Sequence, residues 1–188
     1  MKKIISVIGD ATIKKGELKD QLAFSVGKAI IDAGYRLQTG GMGGVMESAC
    51  KGAKSSKNYK EGDIIAILPS NNITECNEYV DITVPTGLDL MRNVIVASAS
   101  AVVAIGGGAG TLSELASAWT LKRLVIAFKN VDGWSQKVAD TKIDNRVRYE
   151  DIEGDKVYGV ETAQQAIEII NSKINLYNKT ANKITIIE

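Results

Sequence analysis

The sequence predicts an α/β protein of the Rossmann-like, doubly wound class, with a mainly parallel sheet and helices on both faces. Short β-branched apolar runs alternate with amphipathic segments from the first residues onward, which is the pattern of βαβ units. Two glycine clusters, at 40–44 and 106–110, each follow such an apolar run. Because no linker or change in composition interrupts the alternation, we expect one domain over residues 1–173 and a C-terminal tail or added edge strand over residues 174–188.

The N-terminal elements follow from local patterns. Ile4–Gly9 is a short apolar run that ends in glycine, which predicts a buried parallel strand. Glu17–Ala33 carries apolar residues at a spacing of four and is followed by Gly34, so it predicts an amphipathic helix with a glycine cap. The next three elements are predicted as a strand at Tyr35–Thr39, a helix at Val45–Ser55 and a strand at Asp63–Pro69.

The remaining elements are predicted from the same two periodicities. They are a strand at Tyr79–Val84, a helix at Leu88–Ala99, a strand at Ala101–Ile105, a helix at Thr111–Leu121, a strand at Leu124–Phe128, a strand at Val157–Val160 and a helix at Glu161–Asn171. Between Lys129 and Val157 the chain is polar and irregular, so we predict no regular element there.

Composition excludes several classes of protein. Lys+Arg 23 against Asp+Glu 22 gives a net charge of +1, whereas nucleic-acid-binding domains are usually basic, so we expect no nucleic-acid partner. No apolar run approaches the roughly 18 residues that a membrane-spanning helix needs. The N-terminal apolar run ends at Asp10 and is shorter than the roughly 7–15 residues of a signal-peptide core. We therefore expect a cytoplasmic protein with no membrane partner.

The chain contains no histidine and two cysteines, Cys50 and Cys76. The absence of histidine excludes Ser-His-Asp and Cys-His catalysis and histidine-ligated metals, and we expect no metal site. We interpret both cysteines as small buried apolar residues. Acid or base chemistry must therefore come from carboxylates, lysine, tyrosine or cysteine.

The two glycine clusters share the spacing Gly-Gly-x-Gly-x-x-x-Glu, at 40–47 and 107–114. Ligands of doubly wound sheets bind at the carboxyl ends of the strands, near the point where the strand order reverses. Glycine there lets a ligand approach backbone N–H groups, and the positive dipole end of the following helix favours phosphate. We expect an anionic, nucleotide-like ligand bound by Gly9, Asp10, Gly40, Gly41, Gly43, Gly44, Val45, Met46, Gly107, Gly108, Gly110 and Thr111.

Four charged residues near these clusters are candidates for function. Glu114 is the only charged residue between positions 101 and 121, and a carboxylate in so apolar a setting tends to a raised pKa, which suits acid or base chemistry or the binding of a sugar hydroxyl. Arg92 lies on an apolar stripe, where it either snorkels to solvent or binds ligand phosphate or ribose. Asp10 would repel an adjacent phosphate, so we place it near a ribose hydroxyl or a cation. Glu47 is interpreted as a charge that favours the helix dipole.

The predicted helix at Thr111–Leu121 bears no charge besides Glu114. A surface helix normally has a charged outer face. We therefore expect other elements or a second subunit to cover both sides of this helix, in a homodimer or a higher homo-oligomer.

Three segments of the chain resemble the Lonely-guy (LOG) superfamily, and in particular the small bacterial and archaeal branch that includes molybdenum cofactor carrier proteins. The segments are Thr39–Ser48, Met91–Asn93 and Ala104–Glu114. The family signature Pro-Gly-Gly-x-Gly-Thr-x-x-Glu corresponds to residues 106–114, with Gly106 in place of proline. The resemblance implies that Glu114 is the catalytic carboxylate. It also implies that Arg92 is catalytic and that Asn93 binds ligand, in place of the family's Arg-Lys pair, so one basic group is missing.

The resemblance implies two alternative functions. Active members hydrolyse the N-glycosidic bond of nucleoside 5′-monophosphates and release a free base and ribose 5-phosphate, whereas carrier relatives keep the fold and the glycines but only bind. We expect a phosphoribohydrolase, with a non-catalytic carrier or sensor of a phosphorylated ligand as the alternative. No cofactor is required in either case, and the bound molecule is an AMP-like nucleotide or the molybdenum cofactor.

Overall fold

The computed structural model describes residues 1–178, which form one seven-stranded sheet. The strands are β1 (Ile4–Gly9), β2 (Arg36–Thr39), β3 (Ile64–Leu68), β4 (Ile82–Pro85), β5 (Ala101–Ile105), β6 (Leu124–Phe128) and β7 (Tyr158–Val160). The helices are α1 (Leu18–Asp32), α2 (Val45–Lys54), α3 (Asn93–Ala97), α4 (Ala109–Thr120), α5 (Trp134–Val138) and α6 (Ala163–Lys173). The spatial order is β4-β3-β2-β1-β5-β6-β7, and all of these pairings are parallel. This arrangement confirms the predicted doubly wound α/β fold.

Helices cover both faces of the sheet, and each face has its own apolar core. On one face, α1 and α6 bury side chains such as Val26 and Ile167. On the other face, α3 and α4 bury side chains such as Val96 and Trp119. All residues of β5 and β6 are buried, which explains why these strands are continuous apolar runs rather than alternating ones.

Glycines set the separation of α1 and α2. A Cβ atom on Gly27 of α1 would lie 1.9 Å from the carbonyl oxygen of Ala49, and a Cβ atom on Gly52 of α2 would lie 1.9 Å from the carbonyl oxygen of Phe24. A side chain at either position would therefore force the two helices apart, because close-packed interiors have no spare volume.

The direction of the strand order reverses at β1. From β1 the chain adds β2, β3 and β4 on one side, and then β5, β6 and β7 on the other. The crevice at the carboxyl ends of strands around such a reversal is where doubly wound proteins bind ligands. The first glycine cluster follows β2 and the second follows β5, so the topology brings both clusters to this crevice.

The helix predicted at Leu88–Ala99 is wrong in its first half. A 3₁₀ turn at Asp89–Arg92 leads into α3, which has only five residues. Asp89 has a φ angle of 48°, a left-handed conformation that an α-helix does not contain, and its N–H donates to the carbonyl oxygen of Pro69 at 2.9 Å. The turn places Arg92 at the start of α3 instead of within a longer helix.

Two further differences lie in loops. The strand predicted at Tyr79–Val84 begins three residues later, as β4, because the Val80 N–H closes a turn onto the carbonyl oxygen of Asn77 at 3.4 Å. α5 lies in the segment for which the sequence predicts no regular element, since its five residues are too few to show a helical period.

The last described residues pack onto the core. Ile174 and Tyr177 are buried, and the Tyr177 hydroxyl donates to Asp155 at 2.6 Å. Of the segment predicted as a tail or an added edge strand, Ile174 and Tyr177 therefore belong to the apolar core, and residues 179–188 lie outside the described residues.

Buried carboxylates in the described part of the chain pair with cations. Asp63 pairs with Lys2 at 2.8 Å, and Asp155 pairs with Arg148. Over residues 1–178, no cluster of three or more His, Cys, Asp or Glu side chains is arranged to hold a metal ion. No helix in that part is both long and apolar enough to cross a membrane.

Candidate functional site

A cleft of about 360 Å³ opens at the carboxyl ends of the central strands. This volume lies within the roughly 300–1,000 Å³ of small-molecule sites. Ten of the fifteen residues predicted to be catalytic or to bind ligand line it: Gly9, Asp10, Gly40, Met46, Arg92, Asn93, Gly108, Gly110, Thr111 and Glu114. The fold therefore brings together one short segment after each of β1, β2 and β5 and the turn before α3.

The other five predicted residues do not line this cleft. They are Gly41, Gly43, Gly44, Val45 and Gly107. Gly41 packs against β3, where a Cβ atom would lie 2.7 Å from the side chain of Ala66. Val45 begins α2, and its N–H donates to the carbonyl oxygen of Asp10 at 2.9 Å. Gly41 and Val45 thus hold the loops in place, a role that a glycine spacing cannot separate from direct contact with a ligand.

Sequence reasoning missed four lining residues, all of them apolar. Together with Met46 they are the apolar residues that line the cleft, and we call this set the apolar wall: Ile8, Ala11, Met42, Met46 and Leu90. Met42 interrupts the first glycine cluster, and this position is the signal that could have identified it. Leu90 is 70% exposed, and it lies in the turn that the sequence predicts as helix.

The cleft contains a buried ion pair between Arg92 and Glu114. The two side chains meet at 3.4 Å between Nη1 and Oε1, which is longer than the ~2.7–2.9 Å of a strong charge-assisted hydrogen bond. Each residue is only 7% exposed. Burial raises the pKa of the Glu114 carboxyl to about 7, although the nearby Arg92 charge opposes this rise. Burial likewise lowers the pKa of Arg92, although the Glu114 charge opposes this fall.

The Arg92–Glu114 pair is therefore incompletely compensated, in the sense that the attraction between the two charges offsets only part of the cost of burying them. For both groups, the lost hydration outweighs the attraction of the partner. The Nε atom of Arg92 is also buried without a hydrogen-bond partner in the described residues. Burying such groups is unfavourable unless further polar contacts are made, and this is typical of side chains that serve a ligand.

Asp10 joins the two glycine clusters. Its backbone carbonyl accepts the Val45 N–H at the first cluster, and its Oδ2 atom accepts the Gly107 N–H at the second, at 3.0 Å. The same Oδ2 atom accepts a hydrogen bond of 2.8 Å from Lys19 of α1. Lys19 also pairs with the exposed Asp132 at 3.0 Å. The structure thus places the Lys19 ammonium beside Asp10, and no sequence pattern indicated Lys19.

Gly106 has a geometry that proline cannot adopt. Its φ angle is +66°, and a Cβ atom there would lie 2.2 Å from Asp10 Oδ2 and 2.9 Å from Lys19 Cε. Proline is restricted to a φ angle of about −65°. The departure from the family signature at this position is therefore coupled to the Asp10–Lys19 pair.

The N-terminus of α4 borders the cleft. Gly108 and Gly110 line it, and both are exposed. Gly108 is the N-cap residue and has no side chain to bond the first N–H groups of the helix. The Trp134 N–H of α5 donates to the Gly107 carbonyl at 2.9 Å, which fixes this corner from behind. Free N–H groups and the positive end of the helix dipole together suit an anion.

Asn77 holds the first glycine cluster. Its backbone N–H donates to the Gly41 carbonyl at 2.8 Å, and its side-chain amide donates to the carbonyls of Gly41 and Met42 at 3.0 and 3.1 Å. These bonds draw two loop carbonyls toward Asn77. Asn77 lies in the segment before β4, far along the chain from the cluster, so sequence reasoning missed it.

Asn93 and Glu47 have different surroundings. The Asn93 amide donates to Ser113 Oγ at 2.7 Å and so links α3 to α4 at the edge of the cleft. Glu47 is exposed and lines a separate depression, together with Lys15 and Lys51. This position agrees with our interpretation of Glu47 as a first-turn helix charge, since Glu47 is in the first turn of α2.

The model of the SLOG cluster4 family matches residues 2–167 of the chain. The chain belongs to the SLOG cluster4 family. This membership, together with the structural relatives below, confirms the resemblance to the LOG superfamily that the glycine motifs indicated. The match covers every strand and both glycine clusters.

This SLOG cluster4 protein is similar to one curated relative and to solved structures that cover nearly the whole chain. An uncharacterized protein of Archaeoglobus fulgidus is 42% identical over 110 residues, which is 58% of this chain and 70% of the relative. The molybdenum cofactor binding protein of Rippkaea orientalis superimposes with a TM-score of 0.74 at 34% identity, covering 93% of this chain and 98% of that one. The molybdenum cofactor carrier protein of Chlamydomonas reinhardtii superimposes with a TM-score of 0.72 at 30% identity, covering 93% and 99%.

Proposed function

We propose that this chain binds a flat heterocycle that carries one phosphomonoester, and that its ligand is the molybdenum cofactor, which it carries rather than transforms. The observation that carries the proposal is the incompletely compensated Arg92–Glu114 pair beside the free N-terminus of α4. Two structural relatives are described as molybdenum cofactor binding or carrier proteins, and their likeness extends over nearly the whole chain.

The phosphate of the ligand lies at the N-terminus of α4. Gly108 and Gly110 present backbone there without side chains, so a phosphate oxygen can reach their N–H groups. The Arg92 guanidinium adds a positive charge and unused hydrogen-bonding capacity in the same cleft. Ligand binding offsets part of the cost of burying this charge.

The heterocycle lies against the apolar wall. The thioethers of Met42 and Met46 are polarisable and make favourable contacts with aromatic rings. A ring against this surface also covers Leu90, which is otherwise largely exposed. The wall provides no charged group, so it suits a neutral ring such as a pterin or a purine.

Hydrolysis of a nucleoside monophosphate is a second candidate, favoured by one observation. The Glu114 carboxyl lines the cleft and has its pKa raised to about 7, which suits a general acid or base at neutral pH. N-glycosidic cleavage passes through a positively charged sugar that an adjacent carboxylate stabilises. The carrier is preferred because Asn93 is occupied by Ser113 and replaces the second basic residue of the hydrolase motif.

The carrier is tested by loading with the cofactor. The purified protein is incubated with molybdenum cofactor, desalted, and assayed for bound molybdenum and for pterin fluorescence after oxidation. We expect wild type and Arg146→Met, which changes an exposed arginine outside the cleft, to retain both in equal amount. Arg92→Met should weaken binding by about tenfold or more because it removes a buried cation. Equal retention by Arg92→Met and wild type would contradict the proposed site.

The two candidates are separated by product release. Ribose 5-phosphate is measured after incubation of wild type, Glu114→Gln and Glu47→Gln with a panel of nucleoside monophosphates. Glu47 occupies the matching position of the other glycine cluster but lies outside the cleft, so Glu47→Gln is the control. Release by wild type and Glu47→Gln that Glu114→Gln abolishes would establish the hydrolase in place of the carrier.

We also propose that the chain forms a homodimer through α3 and α4. Val94 is 45% exposed and borders an apolar groove with Ala116 and Leu121 of the adjoining α4 region. A charge inserted in this groove by Val94→Lys should dissociate the dimer, whereas Val147→Lys at another exposed valine should not. Light scattering after gel filtration gives the mass, and a wild-type monomer at every concentration would contradict the proposal.

A further inference from the structure

We propose that Asp10 determines specificity by limiting the ligand to a single phosphoryl group, so that nucleoside di- and triphosphates are rejected. The inference rests on the proposed function, because it places the phosphate of the ligand at the N-terminus of α4. Asp10 is the only carboxylate besides Glu114 among the described residues that line the cleft.

The Asp10 carboxylate is fixed in position. Oδ2 accepts hydrogen bonds from the Gly107 N–H and from Lys19, and the backbone carbonyl of the same residue accepts the Val45 N–H. Rotation of the side chain would break the first two bonds, and movement of the backbone would break the third. The carboxylate therefore cannot turn away to make room for a second phosphoryl group.

The charge of Asp10 is only partly neutralised. Lys19 lies within 3.0 Å of both Asp10 and Asp132, so two carboxylates share one ammonium group. The hydrogen bonds and charges of these two carboxylates raise the pKa of Lys19 even though burial lowers it, so the ammonium stays charged. The Asp10 side chain is 27% exposed and borders the cleft, whereas Lys19 does not. An anion in the cleft therefore meets the carboxylate before the ammonium.

The positive groups that remain suit one phosphoryl group. Arg92 is already paired with Glu114, and the α4 dipole contributes only about half a positive charge. Glycine loops that hold di- and triphosphates present successive N–H groups to the extra phosphates. In the second glycine cluster the Gly107 N–H is taken by Asp10 itself. An added phosphoryl group would thus face a carboxylate where those loops provide a donor.

Paired ligands that differ by one phosphoryl group test this inference. Binding of AMP and ADP, and of phosphate and pyrophosphate, is measured by calorimetry in EDTA at fixed ionic strength, since Mg²⁺ would neutralise the extra charge. Wild type should bind the smaller member of each pair at least about tenfold more tightly, because like charges in close contact are strongly unfavourable. Asp10→Asn keeps an acceptor for the Gly107 N–H but removes the charge. It should reduce the ratio of the two affinities in each pair to about threefold or less.

Lys19→Met should change the ratio of AMP affinity to ADP affinity in the direction opposite to Asp10→Asn. It leaves the Asp10 charge in place and removes the shared ammonium, so the ratio between AMP and ADP should rise above that of wild type. Thermal melting of the two variants without ligand shows whether they are folded. A lowered ratio in Asp10→Asn together with a raised ratio in Lys19→Met would support the inference, since loss of stability alone would not move the ratios in opposite directions.

Two results would overturn it. If wild type and Asp10→Asn discriminate equally between AMP and ADP, Asp10 does not set the limit, and the proposed phosphomonoester site stands. If none of the three proteins binds AMP, ADP, phosphate or pyrophosphate, the phosphomonoester site itself is wrong, and the inference falls with it.

Discussion

The two glycine clusters have the same residue spacing but different surroundings. The first, after β2, is held by the neutral amide of Asn77 and contributes Met42 and Met46 to the apolar wall. The second, after β5, is held by the charged Asp10 and leads into the free N-terminus of α4. Their glutamates differ most, since Glu47 is exposed outside the cleft whereas Glu114 is buried within it. The shared spacing does not fix the backbone geometry, since Gly41 has a φ angle of +80° whereas Gly108 at the matching position has one of −98°. The neighbouring elements decide both the geometry and the chemistry.

Replacement of Gly106 by proline should break the second cluster. Gly106→Pro cannot keep a φ angle of +66°, and its Cβ atom would displace the Asp10–Lys19 pair, so we expect a loss of about 3 kcal/mol or more in the free energy of unfolding. Gly110→Ala is the control, because a Cβ atom there meets nothing within 4 Å. Urea unfolding measures both, and a Gly106→Pro protein as stable as Gly110→Ala would show that the corner tolerates the proline of the family signature.

The two glutamates should differ in their effect on the pH dependence of stability. The pKa of Glu114 is about 7 in the folded protein against an ordinary 4.5, so the folded state binds this proton more tightly than the unfolded state does. Protonation of Glu114 therefore stabilises the fold. This contribution is complete below pH 4.5 and is lost as the pH rises through about 7. Between pH 4.5 and 7, the free energy of unfolding of wild type should fall by on the order of 2 kcal/mol relative to that of Glu114→Gln.

Glu47→Gln provides the comparison for that measurement. Since Glu47 is exposed, this variant should follow the pH profile of wild type in urea unfolding at several pH values. A Glu114→Gln profile parallel to that of wild type would mean that Glu114 is not the group that titrates in this window.

Loss of Asn77 should weaken the first cluster by a smaller amount. Asn77→Ala removes two side-chain hydrogen bonds to loop carbonyls, which should cost about 1–2 kcal/mol of stability. It should also weaken binding of the heterocycle more than binding of inorganic phosphate, because the apolar wall and not the α4 N-terminus is disturbed. Asn145→Ala, at an exposed asparagine, should change stability by less than about 0.5 kcal/mol. Equal loss of both ligands would remove the distinction between the two clusters.

Most of the fold was predictable because it depends on local patterns. The continuous apolar runs of β5 and β6 indicate buried parallel strands, and Gly34 marks the end of α1. The turn before α3 was not predictable, because the left-handed conformation of Asp89 depends on a hydrogen bond to Pro69 in another loop. α5 was missed because its position is set by contacts with the second glycine cluster rather than by its own period.

The site was predictable where one short segment of the sequence holds both a glycine cluster and an isolated charged residue. Glycine clusters and isolated charges pointed to residues that line the cleft, including Glu114 and Arg92. Lys19 and Asn77 were missed because each acts on a glycine cluster that is distant in sequence, and neither stands out from its neighbours. The roles of the site residues, the domain limit at residue 173 and the compartment stay predictions.

Gly27 of α1 and Gly52 of α2 link the packing of the core to the surroundings of Asp10. α1 carries Lys19, and α2 begins at Val45, so both helices supply a partner to Asp10. Their separation is set at Gly27 and Gly52, which lie outside the cleft. A substitution at either glycine would alter the balance of charge around Asp10 without touching the ligand. Under the proposed role of Asp10, the packing of α1 against α2 would thus influence which ligand this protein prefers.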